Sequence, residues 1–293
     1  MQLVTNVISF LPKMEEETVI AMVAEAGFDA IDWSFTKQFG ENSPWLQENW
    51  REYAEKLASA AEKQGITFRQ GHAPFPTSQG DEVGDEEILA KLCRCIEAAA
   101  VMGIPYLVVH PCQHLPYNVS RQALFDKSVA LYRQLLPLAQ ALGVVLCTEN
   151  MWQRDKGRKV IVESICARPE EFCQMIDALD SPYLKGCLDI GHGPLVSQDP
   201  AFMVRTLGKD RLKAVHIHDV DLTNDSHTLP FVGKVNWQEV VRALAQIGYE
   251  GDFTFELDGW FNGFPVALWP QALKMAHDTG RYLIAQIQAY QET

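Results

Sequence analysis

Short apolar runs alternate with longer amphipathic ones along the whole chain. Residues 2–9 (QLVTNVIS), 29–34 (DAIDWS), 66–72 (ITFRQGH) and 104–110 (IPYLVVH) read as strands. Residues 144–149 (VVLCTE), 183–189 (YLKGCLD), 212–218 (LKAVHIH) and 252–257 (DFTFEL) continue the series. Between them, helical periodicity covers 14–26, 45–64, 85–102, 120–142, 169–179, 199–207, 236–247 and 266–289. Acids open the first of these helices, where the helix dipole favours them, and Gly27, Gly65, Gly103 and Gly143 follow the first four. Strand–helix alternation implies a parallel sheet with helical crossovers. Eight such units in 293 residues predict an α/β fold, one (β/α)8 barrel domain over 1–293. A doubly wound open sheet is the other parallel solution, but no Gly-rich dinucleotide fingerprint follows the first strand. Two connections, 150–168 and 219–235, are long enough to be lids or binding loops.

Composition narrows the setting. Hydrophobic residues make up 47% and charged residues 22%, enough for a sizeable core. No apolar run approaches the roughly 18 residues of a spanning helix. The first residues lack the basic region of a signal peptide. Seven cysteines without a spacing framework suggest reduced thiols, so a cytoplasmic protein with no membrane partner is expected. Cys93 and Cys95 face different sides of a helix, while Cys147 and Cys187 sit in apolar strands as small hydrophobes. The net charge of −13 weighs against a nucleic-acid partner but not against a small polyol or sugar.

The chemistry lies at the strand ends. Strand three ends in His72, four in His110, five in Glu149-Asn150, six in Asp189 with His192 close behind, seven in His216-Ile217-His218-Asp219, and eight in Glu256. Taken singly, each has an ordinary explanation: a solvated histidine, a capping aspartate, a paired glutamate. In a barrel, however, the C-terminal strand ends converge on one mouth. Glu149, Asp189 and Glu256 brought together there would repel one another unless a cation stood between them. Carboxylates with an imidazole suit Mg, Mn, Co or Zn.

The ordered set GFDAIDWSF (27–35), GHAPF (71–75), VVHP (108–111), CTEN (147–150), CLDIGH (187–192), VHIHD (215–219) and FTFELDG (253–259) resembles the xylose isomerase-like barrel superfamily over essentially the whole chain. The resemblance implies one divalent metal ion held by Glu149, Asp189, His216 and Glu256. It implies that Glu149 and Glu256 double as an acid–base pair acting through a metal-stabilised enediolate, with His192 on a substrate hydroxyl. The implied activity is isomerisation or epimerisation of a small sugar, keto-sugar or sugar derivative. Barrels of this kind commonly pair, so a homo-oligomer is also an expectation.

A rival comes from Asp225-Ser226-His227 in the loop after strand seven. Asp-x-His here resembles endonuclease IV, a phosphoesterase with three zinc ions. By that likeness His72, His110, His192, Asp225 and His227 would be additional metal ligands rather than substrate contacts. The acidic charge, the sugar-branch motif before the second strand end, and the scarcity of Arg and Lys after strands one and two weigh against it. Trp33, Phe75, Trp152 and Trp260 flank strand ends as candidate stacking partners for a sugar. The basic run Arg154, Lys156, Arg158 and Lys159 either meets a substrate phosphate or is simply solvated, the plainer reading. His218 and Asp219 are read as supports that orient a ligand histidine.

Overall fold

Each apolar run forms the strand its pattern predicts. A computed structural model describes residues 1–36, 38–40 and 42–292. Its strands are β1 (Leu3–Asn6), β2 (Ala30–Ser34), β3 (Thr67–His72), β4 (Tyr106–Val108), β5 (Val145–Glu149), β6 (Trp152–Asp155), β7 (Val160–Glu163), β8 (Leu184–Asp189), β9 (Leu212–Ile217) and β10 (Phe253–Phe255). All but β6 and β7 join a closed parallel barrel in the order β1-β10-β9-β8-β5-β4-β3-β2. The helices are α1 (Glu16–Glu25), α2 (Trp50–Lys63), α3 (Glu82–Met102), α4 (Tyr117–Leu142), α5 (Pro169–Asp177), α6 (His192–Leu195), α7 (Pro200–Arg211), α8 (Trp237–Gln246), α9 (Asp258–Asn262) and α10 (Trp269–Gln291). The chain is thus a (β/α)8 barrel. No helix among the described residues is long and apolar enough to cross a membrane.

Local chemistry explains the boundaries. The Asp81 side chain accepts from the Gly84 N–H at 2.8 Å, so α3 starts earlier than periodicity alone predicts. Asp199 caps α7 in the same way, with Pro200 in its first turn. The 150–168 connection, expected to be a loop, contains the antiparallel β6–β7 hairpin, which pairs Trp152 with Glu163 and Asp155 with Val160. Two short helices, α6 and α9, also follow β8 and β10 directly.

Alternation along the strands sets what faces the barrel axis. Val108, Cys147, Cys187 and Ala214 form a small buried cluster of their own. Cys147 and Cys187 are therefore packing residues, as their apolar surroundings predict. Two residues further along β5, β8 and β9, on the same face, stand Glu149, Asp189 and His216. Leu146, Leu188 and Val215, on the opposite face of these strands, join the large core beneath the helices.

Candidate metal centre

Four adjacent staves of the barrel carry the four central side chains. From β5 through β8 and β9 to β10 the strand ends present Glu149, Asp189, His216 and, just past β10, Glu256. His216 Nδ1 lies 3.2 Å from Glu256 Oε2, 3.3 Å from Glu149 Oε2 and 3.9 Å from Asp189 Oδ2. All four side chains are buried. Both carboxylate oxygens of Glu149 and Nδ1 of His216 are enclosed without a hydrogen-bond partner. Leaving such atoms bare is costly, and charged ones more so. Three carboxylates and one imidazole around these bare atoms fit a divalent cation.

Neighbours hold these groups in place. His216 Nε2 lies 2.8 Å from the Gln70 side-chain amide, and Thr254 Oγ1 donates to Gln70 Oε1 at 3.2 Å. The Gln70 amide nitrogen faces Nε2 while its oxygen accepts from Thr254, and this contact fixes the ring so that Nδ1 points at the carboxylates. Asp32, buried deeper, accepts from Asn6 Nδ2 at 2.7 Å. His218 Nε2 stands 2.9 Å from each oxygen of Asp189, and the backbone N–H of His192 donates to Asp189 Oδ1 at 2.7 Å. Gly191 makes room for this, because a Cβ there would overlap the His218 ring. His218 therefore braces a carboxylate, Asp189, and not the ligand histidine it was expected to orient. Asp219 points elsewhere: it accepts from the backbone N–H groups of Val220, Phe231 and Val235 and from the Trp237 indole, and so anchors the loop instead of orienting a ligand.

The other five histidine and aspartate positions flank the central four. On one side, His72 and His110 approach at 3.3 Å through their Nε2 atoms; His110 reaches Glu149 at 3.4 Å and His72 reaches Glu256 at 3.5 Å. On the other, Asp225 Oδ2 lies 3.0 Å from His227 Nε2 and 3.4 Å from His192 Nε2. The His218 and His227 rings stack at 3.9 Å. In each flank the ligating atoms lie within 4.8 Å of one another, so either could hold a cation. Asp258, not foreseen from sequence, sits 3.0 Å from His227 Nδ1.

The crowding separates the two glutamates electrostatically. Burial pushes both carboxyls up. At Glu149, His216 and His110 outweigh burial and hold the group well below the usual carboxylate range. At Glu256, burial prevails over His216 and His227, aided by Glu149 and Asp189, and the group rises to about 8. One carboxyl favours its charge and the other its proton, the division of labour an acid–base pair needs. Burial disfavours a charged His192, but Asp189, Asp225 and Glu149 raise it to about 10. Burial lowers His72 well below the ordinary histidine value, and His110 and His216 add to the effect.

The aromatic residues divide. Phe75 is exposed and meets the His110 ring edge-on at 5.0 Å. Trp152 donates its indole N–H to Asp225 at 3.0 Å and stands beside His192. Trp33 is fully buried against Phe68. Its neighbour Asp32 faces the axis, so alternation turns Trp33 outward and removes it as a stacking partner. Trp260 packs edge-on against Phe264, and its indole is directed to the Ala272 carbonyl. Sequence reading also passed over Gln70, although it lies two residues before His72 and so shares its face.

Comparison with known proteins agrees with this layout. Fructoselysine 3-epimerase of Shigella flexneri is 24% identical over 72% of this chain and 73% of its own length. Endonuclease 4 of Thermus thermophilus is 32% identical over 50% of this chain and 52% of its own length. The crystal structure of a D-tagatose 3-epimerase-like protein superposes with a TM-score of 0.75 at 21% identity, covering 99% of both chains. Residues 20–278 match the family described as Xylose isomerase-like TIM barrel. The chain belongs to the xylose isomerase-like TIM barrel family.

Proposed function

We propose that this chain is a divalent-metal-dependent isomerase or epimerase of a small sugar, keto-sugar or sugar derivative. One observation carries the reading: Glu149 and Glu256 reach the same nitrogen of His216, at 3.3 and 3.2 Å, from separate staves of the barrel. The sugar 3-epimerases among the relatives support it. A proton on carbon beside a carbonyl is too weakly acidic for an unaided carboxylate. Glu149, Asp189, His216 and Glu256 would hold a divalent cation (Mn, Mg, Co or Zn), which when bound would supply the positive charge that makes that proton acidic enough to remove. Glu149, the more readily ionised, takes the proton from one face. Glu256, the more readily protonated, delivers one to the other face, which inverts the carbon. Delivery to the adjacent carbon gives aldose–ketose exchange instead. His192 donates to a substrate hydroxyl, and Phe75 and Trp152 offer ring faces to the apolar side of the sugar.

Conversion of a panel of ketohexoses tests this. Glu149→Gln and Glu256→Gln are each expected to slow turnover by about 10²–10⁴-fold while circular dichroism stays unchanged. Full activity in either variant would remove that residue from the chemistry.

A second reading, zinc-dependent phosphoester hydrolysis, is favoured by one specific observation. His72, His110, Glu149, Asp189, His192, His216, Asp225, His227 and Glu256 gather at one mouth in overlapping clusters, and part of the chain is similar to endonuclease 4. Elemental analysis separates the two. One ion per chain accords with the sugar reading; three zinc ions with cleavage of an abasic duplex would replace it.

A further inference from the structure

A cavity of about 1110 Å³ lies beside the mouth, between the β6–β7 hairpin, the start of α4 and the turn after α6. Two of its lining segments lead along the chain to the metal centre. Gln153 and Leu195 line it; Trp152, next to Gln153, is bonded to Asp225, and the helix ending at Leu195 begins at His192. The chain as a whole carries a net charge of −13. This cavity reverses that balance: Arg121, Arg154, Lys156, Arg158 and Arg168 line it, against the carboxylates of Asp155 and Glu163.

Three of the cations are already neutralised. Arg121 pairs with Glu171 at 2.6 Å, Arg158 with Asp155 at 2.8 Å and Arg168 with Glu163 at 2.7 Å. Arg154 and Lys156 have no carboxylate partner among the described residues. Among the described residues the Arg154 guanidinium donates only to the Lys159 carbonyl, at 3.3 Å. A concave wall with surplus positive charge attracts anions, a guanidinium presents paired donors to phosphate or carboxylate, and an ammonium adds a mobile point charge.

We propose that this cavity binds an anionic group, phosphate or carboxylate, carried by the substrate at the end remote from its reacting carbons. The inference rests on the sugar reading above. It adds that the natural sugar is charged and that Arg154 and Lys156 select it.

Isothermal titration of the metal-loaded chain tests this with D-fructose, D-fructose 6-phosphate and D-fructuronate, alongside the Arg154→Ala/Lys156→Ala variant. Both side chains are exposed, so the fold is expected to tolerate their loss. At least one charged sugar is expected to bind about tenfold or more tightly than D-fructose, and the double variant to bring that ratio near unity. Which charged sugar wins tells phosphate from carboxylate. Equal affinities in the unaltered chain, or a preference that survives the double variant, would overturn the inference. So would an abasic duplex bound more tightly than any sugar and released by the same substitutions. Inversion of a neutral sugar without any anion preference defeats the cavity alone. Cavity-dependent anion binding without inversion at carbon defeats the sugar chemistry alone.

Discussion

His216 would ligate the proposed metal through Nδ1, and Gln70 is placed to hold the ring in that orientation. The amide stands 2.8 Å from Nε2 and is itself held by Thr254. Gln70→Leu keeps the volume and removes the hydrogen bond. Its affinity for Mn or Zn, measured by isothermal titration, is expected to fall about 10–100-fold. An unchanged affinity would mean that packing alone orients the ring. Gln70 was hard to single out in the sequence because a glutamine inside a strand carries no chemical signature. Glu149, Asp189, His216 and Glu256 stood out because acids and imidazole are expensive at the end of an apolar run. Trp33 shows the limit of arguing from strand ends. Nearness to the end does not fix the face, and one step of alternation places Asp32 inside and Trp33 in the outer core.

At the scale of elements, the connections shape the mouth. The loop after β9 brings in Asp225 and His227, and Asp219 fastens it through three backbone N–H groups and the Trp237 indole. Asp219→Ala leaves buried donors unsatisfied and is expected to cost about 3 kcal/mol or more, read as a lower midpoint in urea unfolding. A loss below about 0.5 kcal/mol, the range of an ordinary surface substitution, would show that the loop does not depend on this anchor. Gly259 lets α9 approach the same loop, since a Cβ there would overlap the Ser226 carbonyl. Gly259→Ala is expected to cost about 1–3 kcal/mol in the same experiment, through the backbone shift it forces. The eight strand–helix units were legible because their periodicities run long enough to register. The β6–β7 hairpin was not, because each strand is only four residues long and the first, WQRD, is largely polar.

For the whole molecule, barrel closure turns a scattered sequence into a site. Six consecutive staves, from β3 to β10 around the wall, each contribute a histidine or carboxylate to one mouth. Three buried carboxylates there are a liability that a bound cation relieves. Divalent metal at about 100 times its Kd is expected to add about 2.7 kcal/mol of stability, seen as a Tm that rises with metal and falls with chelator. A Tm indifferent to both would argue against a metal centre. The central claim is proton transfer at carbon between Glu149 and Glu256, and turnover of a ketohexose in D2O followed by proton NMR tests it most directly. One deuterium at the inverted carbon in each product molecule is the predicted result. Inversion with the original hydrogen fully retained would contradict it.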